Sequence, residues 1–268
     1  MIMPSKHTRL LFIVILIEGY VVLASELLAI RQLIPFVGSG TETVSIIISA
    51  VLLPLAVGYH VGGRAFKQHY IKSSASNRKY ASVRQLLMKN ILSSVAILFL
   101  GLSYIFIEIF FGVLEYAGIH NRLMQTALYS LLFLVFPVFL LGQTVPLISH
   151  YFPRRRLSEI TGKMLFFSTT GSFLGSVFST IVLMTTIGVH NTVIVTLGLL
   201  CFLALILARR VLSFETIFVV IAFIAIYAVN NNHTMSTLGI VSNNAYNMVS
   251  ITEEDDGGKI LVSRSAHQ

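Results

Sequence analysis

Apolar runs close to the length of a bilayer crossing follow one another along this chain up to Val229. Hydrocarbon about 30 Å thick takes roughly 20 residues of helix to cross, and backbone polar groups inside it must be paired within the protein. A strand cannot do that alone, and no ten-residue alternation of apolar and polar residues suggests a barrel. The fold class is therefore all-α, a polytopic bundle of about seven transmembrane helices. The predicted spans are Leu10–Ile30, Val44–Val61, Ile91–Phe111, Ala127–Leu141, Met164–Ile187, Thr192–Ala208 and Phe214–Val229. Those ending at Leu141 and Val229 are short and are expected to extend into their flanks. Charged residues make up 11% of the chain, against about 25% in a soluble domain. Residues 1–230 thus form the membrane domain and residues 231–268 an extramembrane tail.

Net charge is +8, yet the basic residues sit in alternate loops instead of on one continuous face, which argues against a nucleic-acid partner. Lys6 and Arg9 precede the first run. Arg64, Lys67, Lys72, Arg78, Lys79, Arg84 and Lys89 follow the second. Arg154, Arg155, Arg156 and Lys163 follow the fourth, and Arg209 and Arg210 the sixth. The positive-inside rule places all of these in the cytoplasm. Seven crossings then put the N-terminus inside and the tail outside, in a multi-pass protein whose immediate partner is the lipid bilayer.

The first run is too long for a secretory signal, carries acids and lacks a small-residue cleavage pattern, so it reads as a retained helix. Cys201 is the single cysteine, which leaves no intramolecular disulfide and no thiolate metal site. The histidines are scattered without ligand spacing. No metal and no cofactor is expected.

Glu18 and Glu26 lie inside the first run and project within about 80° of each other. A carboxylate in the bilayer is costly enough to need a cavity, a cation or a basic partner. Arg31 is the nearest candidate partner and Glu108, in the third run, a further acid. The four form a candidate intramembrane polar site, and an interfacial Glu26–Arg31 ion pair that fixes helix tilt is the structural alternative. Gly171 and Gly175, with Ser172 and Ser176 one step on, make two ladders of small residues that mark a close helix contact. Gly58, Gly62 and Gly63 read the same way. Pro137 and Pro146 bracket Gly142, Gln143 and Thr144, where a kink in the fourth helix is expected.

Several stretches carry a resemblance: EGYVVLASELLAIR from Glu18 to Arg31, IPFVGSG from Ile34 to Gly40, LAVGYHVGGR from Leu55 to Arg64, GQTVPLIS from Gly142 to Ser149 and TTGSFLGS from Thr169 to Ser176. In this order, over about the first 190 residues, they resemble the membrane domain of bacterial membrane-bound spermidine synthase-like proteins. The tail reads as a β-hairpin, Met248 to Glu254 and Lys259 to Arg264 around a turn at Asp255, Asp256, Gly257 and Gly258. In the resembled family such a hairpin, opening on a pair like Tyr246 and Asn247, begins the aminopropyltransferase domain, and Gln268 falls near a glutamine of the polyamine site.

The resemblance implies a catalytic part with a glycine-rich nucleotide turn, an acid for the ribose of decarboxylated S-adenosylmethionine and an aspartate base. These residues are not in the sequence, and a hairpin cannot wall a nucleotide pocket. The expectation is a membrane protein of polyamine metabolism in the bacterial plasma membrane that is not an active enzyme alone. Its partner would be a separate aminopropyltransferase domain or a second copy of the chain. The charge count places the tail outside, whereas the family's nucleotide donor is made in the cytoplasm. An alternative is transport of a polyamine or other cation through the buried acids, which suits their charge. A third is docking of the basic segment from Arg64 to Lys89 on anionic lipid or a cytoplasmic partner.

Overall fold

A computed structural model describes residues 6–70, 76–152, 157–208, 213–244, 247–253 and 259–265. Within them the chain is a helix bundle with a small antiparallel sheet at one end. Helix α1 (Lys6–Val37) and α2 (Thr41–Tyr70) are followed by α3 (Ser76–Leu102), a short α4 (Tyr104–Tyr116) and α5 (Arg122–Ser130). A π-helical segment, Leu131–Val135, joins α5 to α6 (Phe136–Gly142) and α7 (Thr144–Ser149). Helix α8 (Leu157–Val177) passes through a second π segment, Phe178–Leu183, into α9 (Met184–Thr186). Then come α10 (Val189–Leu207), α11 (Phe214–Asn230), α12 (Asn232–Thr237) and strands β1 (Ile240–Asn243), β2 (Asn247–Glu253) and β3 (Lys259–Ser265).

Among the described residues, six helical stretches are long and apolar enough to cross a membrane: Arg9–Val37, Thr41–Arg64, Val83–Leu102, Arg122–Ser149, Ser158–Thr186 and Val189–Leu207. The seventh expected span is the 17-residue helix α11, about 25 Å long. It runs back along α10 and ends at the opposite end of the bundle from where it starts. Helix α1 is central, packed on α8, α10, α2 and α3. The outward faces of α8, the π segment after it and α11 are the reverse of a soluble protein's, with Phe166, Phe173, Ile181, Ile221 and Ile224 all exposed. Lipid is the solvent such faces fit.

Two expectations are corrected. The predicted span Ile91–Phe111 is not one helix, because the chain breaks at Ser103 (φ −90°, ψ 125°) and restarts as α4. The basic segment Arg64 to Lys89 is not a simple loop either. Helix α2 continues to Tyr70 and α3 begins at Ser76, since Lys and Arg are good helix formers once the chain leaves hydrocarbon. Helix α1 stops at Gly38, whose φ of +80° only glycine adopts freely, and whose N–H caps Ile34 at 3.0 Å.

The hairpin is present, with β2 and β3 antiparallel from Asn247↔Ser265 to Glu253↔Lys259. A third strand, β1, pairs with β2 through an irregularity between Ile240 and Ser242. The turn residues Asp255 to Gly258, together with Tyr246, Gln268, Lys72, Arg154 to Arg156, Arg209 and Arg210, lie outside the described residues. Ile240 and Met248 of the sheet pack with Met235 of α12 and Tyr104 of α4, and Phe36 of α1 covers them. The tail therefore sits at the end of the bundle where α1 finishes, opposite the N-terminus.

Candidate functional site

Glu18 lies on α1 where α2 and α8 approach it. Its side chain is 2% exposed, and Oε2 is buried without a hydrogen-bond partner. Tyr59 of α2 and Ser168 of α8 share a side-chain hydrogen bond beside it, and Tyr59 lies within electrostatic reach of the Glu18 carboxylate. The three residues link three helices. Tyr59 falls within one of the stretches that carry the family resemblance, but a lone tyrosine in an apolar run gave no sign of its partner.

The seam that brings α8 so near is made of glycine. A Cβ on Gly171 would stand 2.0 Å from the Leu16 carbonyl oxygen and one on Gly175 2.2 Å from that of Tyr20. Gly19 answers from α1, where a Cβ would meet the Ser168 oxygen at 2.4 Å. Steps of four residues on both helices keep the two backbones in contact, as small-residue interfaces do. Hydroxyls stitch the same seam. Ser172 donates to the Gly19 carbonyl at 3.3 Å, and Tyr20 and Ser179 hydroxyls are 2.7 Å apart. Gly58 and Gly62 do the same for α2, against Phe139 and Gln143, whereas a Cβ on Gly63 would meet nothing within 4 Å among the described residues.

Glu26 is also buried, at 6% exposure, with Oε2 unpartnered. It makes no ion pair with Arg31 among the described residues. Five residues of helix turn the chain by about 140°, so the two side chains leave α1 on different sides. Arg31 instead donates from Nε to the backbone oxygen of Asn244 in the tail, at 2.7 Å, and its Nη2 is buried without a partner. Glu108 does not join the group: it is on the exposed side of α4, opposite the face that buries Tyr104, Ile107, Phe111 and Leu114. The structure thus buries Glu18, Glu26 and Arg31 along one helix and leaves Glu108 outside.

The break itself is sealed by side chains from other helices. Gln32 of α1 donates from Nε2 to the Leu102 oxygen at 2.6 Å. The Tyr129 hydroxyl donates to the Gly101 oxygen. Asn230, fully buried at the end of α11, donates to Ser103 Oγ at 2.9 Å. The same holds for the proline-bracketed stretch, where α6 gives way to α7 at Gln143. Ser94 donates to the Pro137 oxygen at 3.2 Å, and Asn90 reaches the Leu140 oxygen and Gln143 Oε1 at 3.2 and 3.3 Å. Irregular backbone at membrane depth persists only where freed carbonyls find such donors.

Cys201 is buried and free. No known protein family, no curated protein and no solved structure matches this chain.

Proposed function

We propose that this chain is the membrane platform of a spermidine synthase-like protein. In this reading the bundle holds the first strands of an aminopropyltransferase-type domain against one face of the bacterial plasma membrane, and residues outside these 268 supply catalysis. The observation that supports it is the seating of the sheet. Arg31 grips the Asn244 backbone, and Met235, Ile240 and Met248 bury against Tyr104 and Phe36, so the strands do not trail from the last helix. The motif resemblance supplies the polyamine part. The alternate basic segments support a cytoplasmic N-terminus and a platform on the outer face, so the role proposed is positioning of the domain there, not cytosolic synthesis. In cells lacking spermidine synthase, the chain alone should leave spermidine absent, and a complete aminopropyltransferase domain fused to the tail should be cut by protease added outside the plasma membrane. Restoration by the chain alone would refute the reading.

A second reading, movement of a cation through the bundle, is favoured by one observation: the unpartnered Glu18 oxygen beside Tyr59. Uptake of labelled spermidine by cells expressing Glu18→Gln protein measures it. Uptake equal to that of the native chain would remove Glu18 from any transport path.

A further inference from the structure

Ionised, the Glu18 side chain would be a lone negative charge inside the bundle. It is 2% exposed, its Oε2 has no hydrogen-bond partner, and it makes no ion pair among the described residues. The bases on the helices around it stand elsewhere. Arg9 of α1 is nine residues back, about 14 Å along the axis. Arg64 of α2 and Lys163 of α8 are each five residues from the residue beside Glu18, about 140° round their helices. Both are exposed, and Lys163 is paired with Glu159 at 2.6 Å. His60, next to Tyr59, is exposed too. On α3, Lys89 is exposed, and Arg84 sits more than a turn nearer the start of that helix. The only titratable residue of α10 besides Cys201 is His190, at the end where the tail sits. Glu26, the nearest acid on α1, is about 12 Å further along.

An unpaired buried charge is among the most costly groups a fold can hold, and lipid around the bundle raises that cost. Something must neutralise it, and access decides what. A metal ion or an ammonium has to touch the oxygen directly, whereas Oε2 is closed to anything the size of water. The neighbours do not back away easily. The Ser168 carbonyl oxygen stands only 2.4 Å from where a Cβ on Gly19 would be, and the Ser168 hydroxyl is tied to Tyr59. A proton needs no room and no ligand shell.

We propose that Glu18 is a proton-binding site, a carboxylic acid that carries its proton at neutral pH in the folded bundle. The proton removes the charge and leaves a neutral polar group, which α1, α2 and α8 can enclose without a counter-ion. A cation that used this position would first have to displace the proton. The inference rests on neither reading above, since it asks only which form the carboxyl takes.

Infrared spectroscopy of the full chain in a maltoside detergent, which has no ester carbonyl of its own, reads the acid directly. A protonated carboxyl gives a C=O stretch above the amide bands that moves down in D2O, and a carboxylate gives none there. The native chain and Glu26→Gln are expected to show this band at neutral pH, and the native-minus-Glu18→Gln difference spectrum to contain it. Glu26→Gln leaves Glu18 as the one buried acid among the described residues, so its spectrum decides the matter even where Glu18→Gln does not fold. Absence of the band from Glu26→Gln protein, a band that does not move in D2O, or a band of undiminished strength in folded Glu18→Gln would each overturn the proposal.

Discussion

A methyl group added at Gly171 would stand 2.0 Å from the Leu16 carbonyl oxygen, and a backbone carbonyl in a helix cannot step aside as a side-chain tip can. Gly171→Ala and Gly175→Ala are therefore expected to force α8 off α1, each costing about 1–3 kcal/mol as overpacked sites do. Thermal unfolding in detergent measures this. Gly63→Ala is the control: it meets nothing within 4 Å, and there the better helix propensity of alanine should leave stability unchanged or raise it by up to about 1 kcal/mol. Gly171 and Gly175 were legible because two small residues four apart announce a helix contact. Gly19, their counterpart, was not, since a single glycine in an apolar run repeats nothing. The acids were legible as buried, because a carboxylate in hydrocarbon is rare enough to notice. Their partners were not: Tyr59 and Ser168 belong to other helices, and Arg31 spends its Nε on a residue 213 positions away.

At the level of elements, the break after α3 shows what hydropathy misses. The run from Ile91 to Phe111 carries one charge, Glu108, and Ser103 differs in nothing legible from Ser93 and Ser94, which stay helical. The chain breaks there because Gln32, Tyr129 and Asn230 converge from three other helices to pair the backbone and hydroxyl that the break exposes. Replacing Gln32 by Leu leaves the Leu102 carbonyl unpaired in a dry interior and should cost about 1–3 kcal/mol. Asn230→Leu removes a bond to a neutral hydroxyl and should cost about 1 kcal/mol. Ser45→Ala, which loses an exposed bond to the Thr41 oxygen of its own helix, should stay within about 0.5 kcal/mol of the native chain. Chemical denaturation of the three variants in one detergent ranks them. Strand β1 escaped notice for a related reason: four residues are too few for an alternating pattern, and the strand exists because β2 and the bundle end hold it.

Across the whole molecule, the apolar runs carried most of the architecture, and the bundle of membrane-length helices follows from them. The way the tail is held did not follow, because it depends on Arg31 and on apolar contacts made after folding. Arg31→Gln should loosen the tail while leaving the bundle intact. Limited proteolysis is expected to cut residues 231–268 several times faster in that variant, at unchanged unfolding temperature of the helices.

The central claim is a bundle crossed an odd number of times, with the sheet seated on the face away from the N-terminus. Labelling of single introduced cysteines by a membrane-impermeant maleimide tests it most directly, because the native Cys201 is buried at 3% exposure and stays silent. Thr237→Cys should label in intact cells, and Ser158→Cys, at the start of α8, only after the membrane is opened. Labelling of both positions from the same side would contradict the account.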